Sequence, residues 1–185
     1  TGHGVPGGFM SMIGQTALND ILENFPDRDP AFILHQLNLK VRTLVQDRSN
    51  EGMDISLCRF DSEKKELMFA GANRPIYYTN HSQNTLVPGN RRGINGYSQL
   101  QTEFSNQTIA MQEGDCVYLF SDGFQDQFGG RYGKKLMRKQ LCAFFDSICK
   151  QHMSVQQRQL LSYFNQWRGG FDQVDDVLVW AMRLK

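Results

Sequence analysis

Residues 116–123 read Cys-Val-Tyr-Leu-Phe-Ser-Asp-Gly, and this stretch decides the fold. Its first five residues are all apolar or aromatic, without polar alternation, which is typical of a strand buried on both faces. A short polar turn, Ser121-Asp122-Gly123, follows at once. The stretch therefore predicts a central strand with a carboxylate, that of Asp122, directly at its end.

Helices are predicted on both sides of this strand. Apolar residues near a 3.6-residue period predict a helix over about residues 6–22 and a second one that begins at Asp29-Pro30 and ends near residue 45. Two further helices are predicted over residues 133–150 and 154–167. The apolar stripe of the first helix is Phe9, Met12, Ile13, Ala17 and Ile21, and the marks of the last two are Met137, Leu141, Phe144, Ile148, Leu161 and Phe164.

Alternating patterns predict the other strands, over residues 53–60, 67–70, 76–79, 101–110 and 176–184. The first two of these form a hairpin across the turn at residues 61–64, a further turn follows at residues 80–84, and residues 88–98 are expected to be a loop. Antiparallel hairpins with helices grouped in pairs favour an α+β fold over a doubly wound α/β fold. A length of 185 residues without repeats favours a single domain over residues 1–185.

The composition argues against several classes of protein. A net charge of +1 gives no general attraction to nucleic acid or to an anionic membrane. No apolar run approaches the roughly 20 residues of a membrane span, and the first residues do not resemble a signal peptide. The four cysteines form no C-x-x-C pair, so we expect buried free thiols in a reducing compartment rather than a zinc site. They are Cys58, Cys116, Cys142 and Cys149.

Two acidic positions could hold a hard cation. Asp122 ends the central strand, and the pair Asp175-Asp176 precedes the last strand. Oxygen ligands of this kind suit Mg²⁺ and Mn²⁺. The alternative, that these residues only form turns, is equally compatible with the pattern. In the turn Gly2-His3-Gly4, the glycines could cradle a phosphate before the first helix. His3 could be a general acid, although a structural hydrogen bond is the commoner role for such a histidine.

Four ordered motifs resemble a known family. They are residues 1–7 (Thr-Gly-His-Gly-Val-Pro-Gly), 71–75 (Gly-Ala-Asn-Arg-Pro), 118–130 (Tyr-Leu-Phe-Ser-Asp-Gly-Phe-Gln-Asp-Gln-Phe-Gly-Gly) and 173–177 (Gln-Val-Asp-Asp-Val). Together they are similar to the SpoIIE-type serine phosphatase domain, a bacterial branch of the PP2C-like metal-dependent phosphatases. The resemblance implies an αββα sandwich of two antiparallel sheets flanked by helix pairs.

The resemblance also implies a site. Two Mn²⁺ or Mg²⁺ ions would be held by aspartates at strand ends, and a water between them would attack phosphorus. By position, Asp122 and Asp175 are the implied metal ligands, while the residues implied to support them are Asp176, Gly123, Gly2, His3 and Gly4. Arg74, Arg91 and Arg92 could contact a phosphate, or could be solvated loop residues.

The sequence departs from the family at its start. Family members carry a ligating aspartate two residues before the Thr-Gly-His-Gly turn and another acidic motif further upstream, whereas this sequence begins at Thr1. The resemblance therefore implies a domain that lacks its first strands. With fewer carboxylates to offset two divalent ions, we expect these 185 residues to bind metal weakly and to hydrolyse little.

The family suggests a function and partners. We expect a protein serine/threonine phosphatase that acts on a phosphorylated bacterial regulator of the anti-sigma-factor-antagonist type, as the cytoplasmic output domain of a sensor protein, free or membrane-anchored. A homodimer through the first two helices, an upstream sensor domain, and no contact with nucleic acid or membrane are also expected. A non-catalytic docking or dimerisation module of the same fold is the alternative, and a metal phosphodiesterase is a third reading.

Overall fold

A computed structural model describes residues 4–45, 52–80, 83–96 and 103–185, with side chains from residue 7 onward. The chain divides into two compact units: Thr1–Pro75 with Pro88–Met111, and Ile76–Val87 with Gln112–Lys185. The elements, in chain order, are α1 Gly4–Asn24, α2 Pro30–Val45, β1 Ile55–Asp61, β2 Glu66–Ala72, β3 Ile76–Thr79, β4 Asn84–Val87, β5 Gln107–Ala110, β6 Cys116–Phe120, α3 Asp122–Asp126, β7 Phe128–Gly129, β8 Lys134–Lys135, α4 Arg138–Ile148, α5 Met153–Arg168 and β9 Val179–Arg183.

The first unit packs α1 and α2 against an antiparallel sheet of order β1-β2-β5. Asp29 caps α2, since its carboxylate accepts a hydrogen bond from the Phe32 amide at 2.9 Å and another from the Asn106 side chain at 2.7 Å. These bonds hold the pKa of Asp29 below its usual range. At the β1–β2 turn, the Asp61 carboxylate accepts hydrogen bonds from the backbone amides of Glu63 and Lys64. These bonds stabilise the turn that closes the hairpin.

The second unit packs α4 and α5 against an antiparallel sheet of order β4-β3-β6-β9. Strand β6 lies inside this sheet, between β3 and β9, and its first three residues are fully buried. The Tyr118 ring stacks on Phe145 of α4 with centroids 4.2 Å apart, and its hydroxyl donates to Gln156 of α5 at 2.8 Å. The predicted central strand is therefore confirmed, with both helices fixed to it.

Several predicted elements differ in extent. Of the predicted strand 101–110, residues 103–106 are not in β5, which begins at Gln107, because Asn106 instead bonds Asp29 and the Ala31 amide. Residues 101 and 102 lie outside the described residues. Helix α4 begins at residue 138 rather than 133, since the amides of Leu136 and Met137 donate to the main chain of residues 127 and 125. Helix α3 and strands β4, β7 and β8 were not predicted, and β9 begins at residue 179 rather than 176.

The predicted apolar stripes are wrong in part. In α1, Ala17 and Ile21 are buried as expected, but Phe9 and Met12 are 62% and 67% exposed, while Met10 faces the core instead. Of the marks predicted for the later helices, Met137 and Leu161 are exposed, while Phe145 and Leu160, which the prediction leaves out, are buried. Periodicity finds a helix, but the neighbouring element decides which apolar residues it covers.

The cysteines are all free, as expected, with two buried and two half-buried. Burial raises the pKa of Cys58 to about 12, which keeps this thiol protonated and unreactive at neutral pH. Within the described ranges, no helix is both long enough and apolar enough to cross a membrane. The face-to-face packing of the two sheets stays a prediction.

Candidate metal site

Ser121 ties the end of β6 to the segment that carries Asp175 and Asp176. Its amide donates to the Leu178 carbonyl at 3.0 Å, and its hydroxyl donates to the Asp176 carbonyl at 3.0 Å. The same hydroxyl accepts from the Leu178 amide at 2.9 Å. Three hydrogen bonds across more than 50 residues thus hold the Ser-Asp-Gly motif beside the Asp-Asp motif.

Gly123 allows the two motifs to approach closely. A β-carbon at this position would lie 2.9 Å from the backbone carbonyl carbon of Asp176 and 3.3 Å from the backbone carbonyl oxygen of Asp175. It would overlap the backbone carbonyl oxygen of Asp176. Only glycine therefore fits without displacing the acidic segment. The structure brings together the main chains that carry Asp122 and Asp175, which the resemblance implied as metal ligands.

The three carboxylates of the two motifs have different surroundings. Asp122 opens helix α3 and is half-buried, whereas Asp175 and Asp176 are exposed. One oxygen of Asp175 accepts from the Asp176 amide at 2.8 Å, which orients this carboxylate. The main chain of Asp176 bonds Ser121 and faces Gly123, so this residue contributes its backbone to the arrangement.

Gln127 is a further residue of this region, and sequence reasoning missed it. Its side chain is fully buried, and its amide nitrogen donates to the carbonyls of Phe128 at 2.9 Å and Asp172 at 2.8 Å. Its side-chain oxygen accepts from the Val174 amide at 3.4 Å. Gln127 therefore holds the segment that leads into Asp175. A buried glutamine needs such partners, but the sequence gives no sign of which they are.

The donor chemistry fits a hard divalent cation in part. Two carboxylates on adjoining segments suit one Mg²⁺ or Mn²⁺ ion that keeps several waters. Among the residues that the structure describes, no group of three or more His, Cys, Asp or Glu side chains could hold a metal. A second ion would need ligands outside those residues. Gly2 and His3 lie outside them as well, and Gly4 is the first residue of α1.

The three candidate arginines lie in the first unit. Hydrogen bonds between Asn73 and Asn90 and from Asn90 to Gly71 join the segments that carry them. Arg74 pairs loosely with Asp54, at 3.9 Å, and the guanidinium of Arg92 lies 5.5 Å from the Phe104 ring centre. Arg91 is exposed. Arg74 and Arg92 thus have contacts within the fold, which favours a role as loop residues over a phosphate contact for these two.

The family comparison decides the classification. The model of the family described as Stage II sporulation protein E (SpoIIE) matches residues 1–185. The chain belongs to the SpoIIE family. None of the curated proteins compared with it matches significantly. The match covers every residue of the sequence and gives no evidence of the predicted absence of first strands, which stays a prediction.

Several solved structures share the fold. The SiaA-PP2C domain of Pseudomonas aeruginosa is 27% identical, with a TM-score of 0.90 over 99% of this chain and 72% of that one. A PP2C phosphatase domain of Bacillus subtilis SpoIIE, solved with a fragment of its regulatory domain, is 16% identical. Its TM-score is 0.74, and the match covers 100% of this chain and 52% of that one. RsbX in complex with magnesium is 16% identical, with a TM-score of 0.61 over 97% of this chain and 75% of that one. This SpoIIE-family chain therefore has the PP2C fold, and spans about half of the second structure.

Proposed function

We propose that this chain is a metal-dependent protein phosphatase domain that hydrolyses phosphoserine or phosphothreonine on a regulatory protein. The observation that carries the proposal is the contact between the Ser121-Asp122-Gly123 turn and the Asp175-Asp176 segment. This contact holds the segments that carry Asp122 and Asp175 side by side at the end of a buried strand, and a SpoIIE domain of solved structure is described as a phosphatase.

The chain's own residues have distinct tasks in this proposal. Asp122 and Asp175 bind the cation, while Ser121 and Gly123 keep their segments in contact. Bound Mn²⁺ or Mg²⁺ would supply a water of lowered pKa as nucleophile and positive charge for the phosphoryl group. Arg91 is the candidate for a phosphate contact. The relative RsbX was solved with magnesium, and this supports the choice of cation for our chain.

The substrate and the setting follow the family resemblance. The substrate is a phosphorylated regulator of the anti-sigma-factor-antagonist type, and the domain is the cytoplasmic output of a sensor protein. A homodimer through α1 and α2 fits the exposure of Phe9 and Met12 on α1. These exposed apolar side chains are the contacts that a partner helix pair would cover.

A non-catalytic docking module is the second candidate. It is favoured by the absence of a three-ligand metal group among the described residues. The two candidates differ in whether Asp122 and Asp175 bind metal at all. Phosphate release from phosphoserine peptides with millimolar Mn²⁺, for the wild type, D122N and D172N, separates them. The phosphatase proposal expects slow release that D122N abolishes and D172N retains, and equal release by all three proteins contradicts it.

A further inference from the structure

Basic charge is concentrated in one segment of the second unit, which we call the basic hairpin (residues 128–139). It contains strands β7 and β8 and the start of α4, with the sequence Phe-Gly-Gly-Arg-Tyr-Gly-Lys-Lys-Leu-Met-Arg-Lys. It carries a charge of +5 and no acidic residue, although the whole chain carries only +1. All five basic side chains are exposed: Arg131, Lys134, Lys135, Arg138 and Lys139.

The basic hairpin is anchored to Trp167, near the end of helix α5. Gly129 packs so closely against Trp167 that a β-carbon would lie 2.6 Å from the Trp167 carbonyl carbon, and the Gly130 amide donates to the Trp167 carbonyl at 2.8 Å. The Trp167 indole in turn donates to the Gln127 carbonyl at 2.9 Å. Its charges are therefore presented on a fixed support, so little conformational entropy is lost when a partner binds.

The same support connects the hairpin to both candidate metal ligands. The Gln127 carbonyl also accepts from Leu136 of the hairpin at 3.1 Å, while the Gln127 side chain holds the main chain of Asp172 and Val174 just before Asp175. On the other side, the Met137 amide donates to the Gln125 carbonyl at 2.8 Å, three residues after Asp122. The basic hairpin is thus hydrogen-bonded to the segments that lead from Asp122 and into Asp175.

Most of this charge faces solvent. Lys135 pairs with Asp126 at 3.3 Å, while Tyr132 at the tip is 77% exposed and lies beneath the Arg131 guanidinium at 5.8 Å. An exposed tyrosine beside an arginine is typical of protein-binding surfaces. The surrounding basic charge would speed encounter with an acidic partner and favour such partners over others.

We propose that the basic hairpin docks the acidic surface that flanks the phosphorylated residue of the substrate protein. The proposal rests on the proposed phosphatase function and specifies its substrate class as phosphoproteins with acidic residues beside the phosphoserine. Exposed ion pairs add little individually, so selectivity comes from several pairs acting together. Their effect should weaken with salt, because the charges lie at the surface.

The test measures binding without turnover. A fluorescein-labelled peptide of about 15 residues, with one phosphoserine flanked by glutamates, is titrated with the full chain in EDTA, and a second peptide has glutamines in place of the glutamates. We expect the glutamate peptide to bind about tenfold more tightly. The variant R131Q/K134Q/R138Q/K139Q should lose this preference, whereas R28Q/K64Q/K150Q/R158Q, with the same change in charge at other exposed positions, should keep it.

Three results overturn the proposal: equal binding of both peptides by the wild type, an equal loss in the two variants, or an unchanged preference in the hairpin variant. Tighter hairpin-dependent binding of a single-stranded RNA oligonucleotide also overturns it, in favour of a nucleic-acid surface. If the hairpin variant unfolds in circular dichroism, R131Q/K134Q repeats the test. Failure of phosphate release with Mn²⁺ while the peptide preference persists would refute the phosphatase function and leave the docking surface standing.

Discussion

The α-carbon of Gly123 faces the main chain of Asp176 at a distance that leaves no room for a side chain. This contact, together with the Ser121 hydrogen bonds, joins the turn after the central strand to the segment before the last strand. By its sequence, each of the two acidic motifs alone is compatible with an ordinary turn. Their contact makes them one candidate metal site.

Substitution G123A should disturb this contact. The new β-carbon must push the Asp175–Asp176 main chain aside, and overpacking of this kind costs about 1–3 kcal/mol of unfolding free energy. The matched control is G170A, because nothing lies within 4 Å of that position. Urea denaturation of both variants checks the prediction, and a G123A protein as stable as G170A would contradict it.

Substitution Q127L should also destabilise the acidic segment. Leucine fills much of the same volume but leaves the Asp172 carbonyl and the Val174 amide without their side-chain partner, and each lost hydrogen bond costs about 0.5–1.5 kcal/mol. The control is Q166L, since Gln166 is exposed and makes only a 3.4 Å bond to Ser162. Thermal unfolding should show a clear loss for Q127L alone, and similar melting temperatures would count against the role of Gln127.

Stability should fall at high pH through a buried tyrosine. Burial and the hydrogen bond to Asp115 raise the pKa of Tyr78 to about 12, from an ordinary value of 10. Because the unfolded chain releases this proton first, the stabilisation is complete below pH 10 and is lost as the pH rises to about 12. In urea denaturation, Y78F should show a shallower loss than the wild type over that interval. Identical slopes would refute the assignment.

The exposed apolar residues of α1 should affect association. Phe9 and Met12 lie three residues apart, hence on one face of the helix, and both are more than 60% exposed. If this face is a dimer contact, F9E/M12E should sediment as a monomer at concentrations where the wild type is dimeric. L161E/L178E, which changes equally exposed residues of the second unit, should remain dimeric. A monomeric wild type would contradict the proposed homodimer.

The sequence predicts local features of this fold well. The apolar run 116–120 predicts its central strand to the residue, because five consecutive apolar residues need two covered faces. Asp29 predicts the start of α2, since a capping carboxylate acts over three residues. The family motifs indicate Asp122 and Asp175, whose segments the structure brings together.

Features that depend on distant partners could not be predicted. Residues 133–137 are part of a predicted helix, yet residues 134–137 bond residues 125–129, so α4 begins later. Gln127 acts through partners 45 and 47 residues away, and nothing in its neighbours indicates them. The core face of α1 depends in the same way on what packs against it, which explains the misplacement of Phe9 and Met12.

The central claim, that Asp122 and Asp175 bind one divalent cation, is tested most directly by nuclear magnetic resonance with Mn²⁺. Paramagnetic broadening detects weak sites, and it locates the ion on the chain without requiring activity. We predict that Mn²⁺ first broadens the amides of residues 121–124 and 174–178, and that D122N and D175N abolish this broadening while D172N preserves it. Broadening centred elsewhere, or unchanged in D122N, would contradict the account.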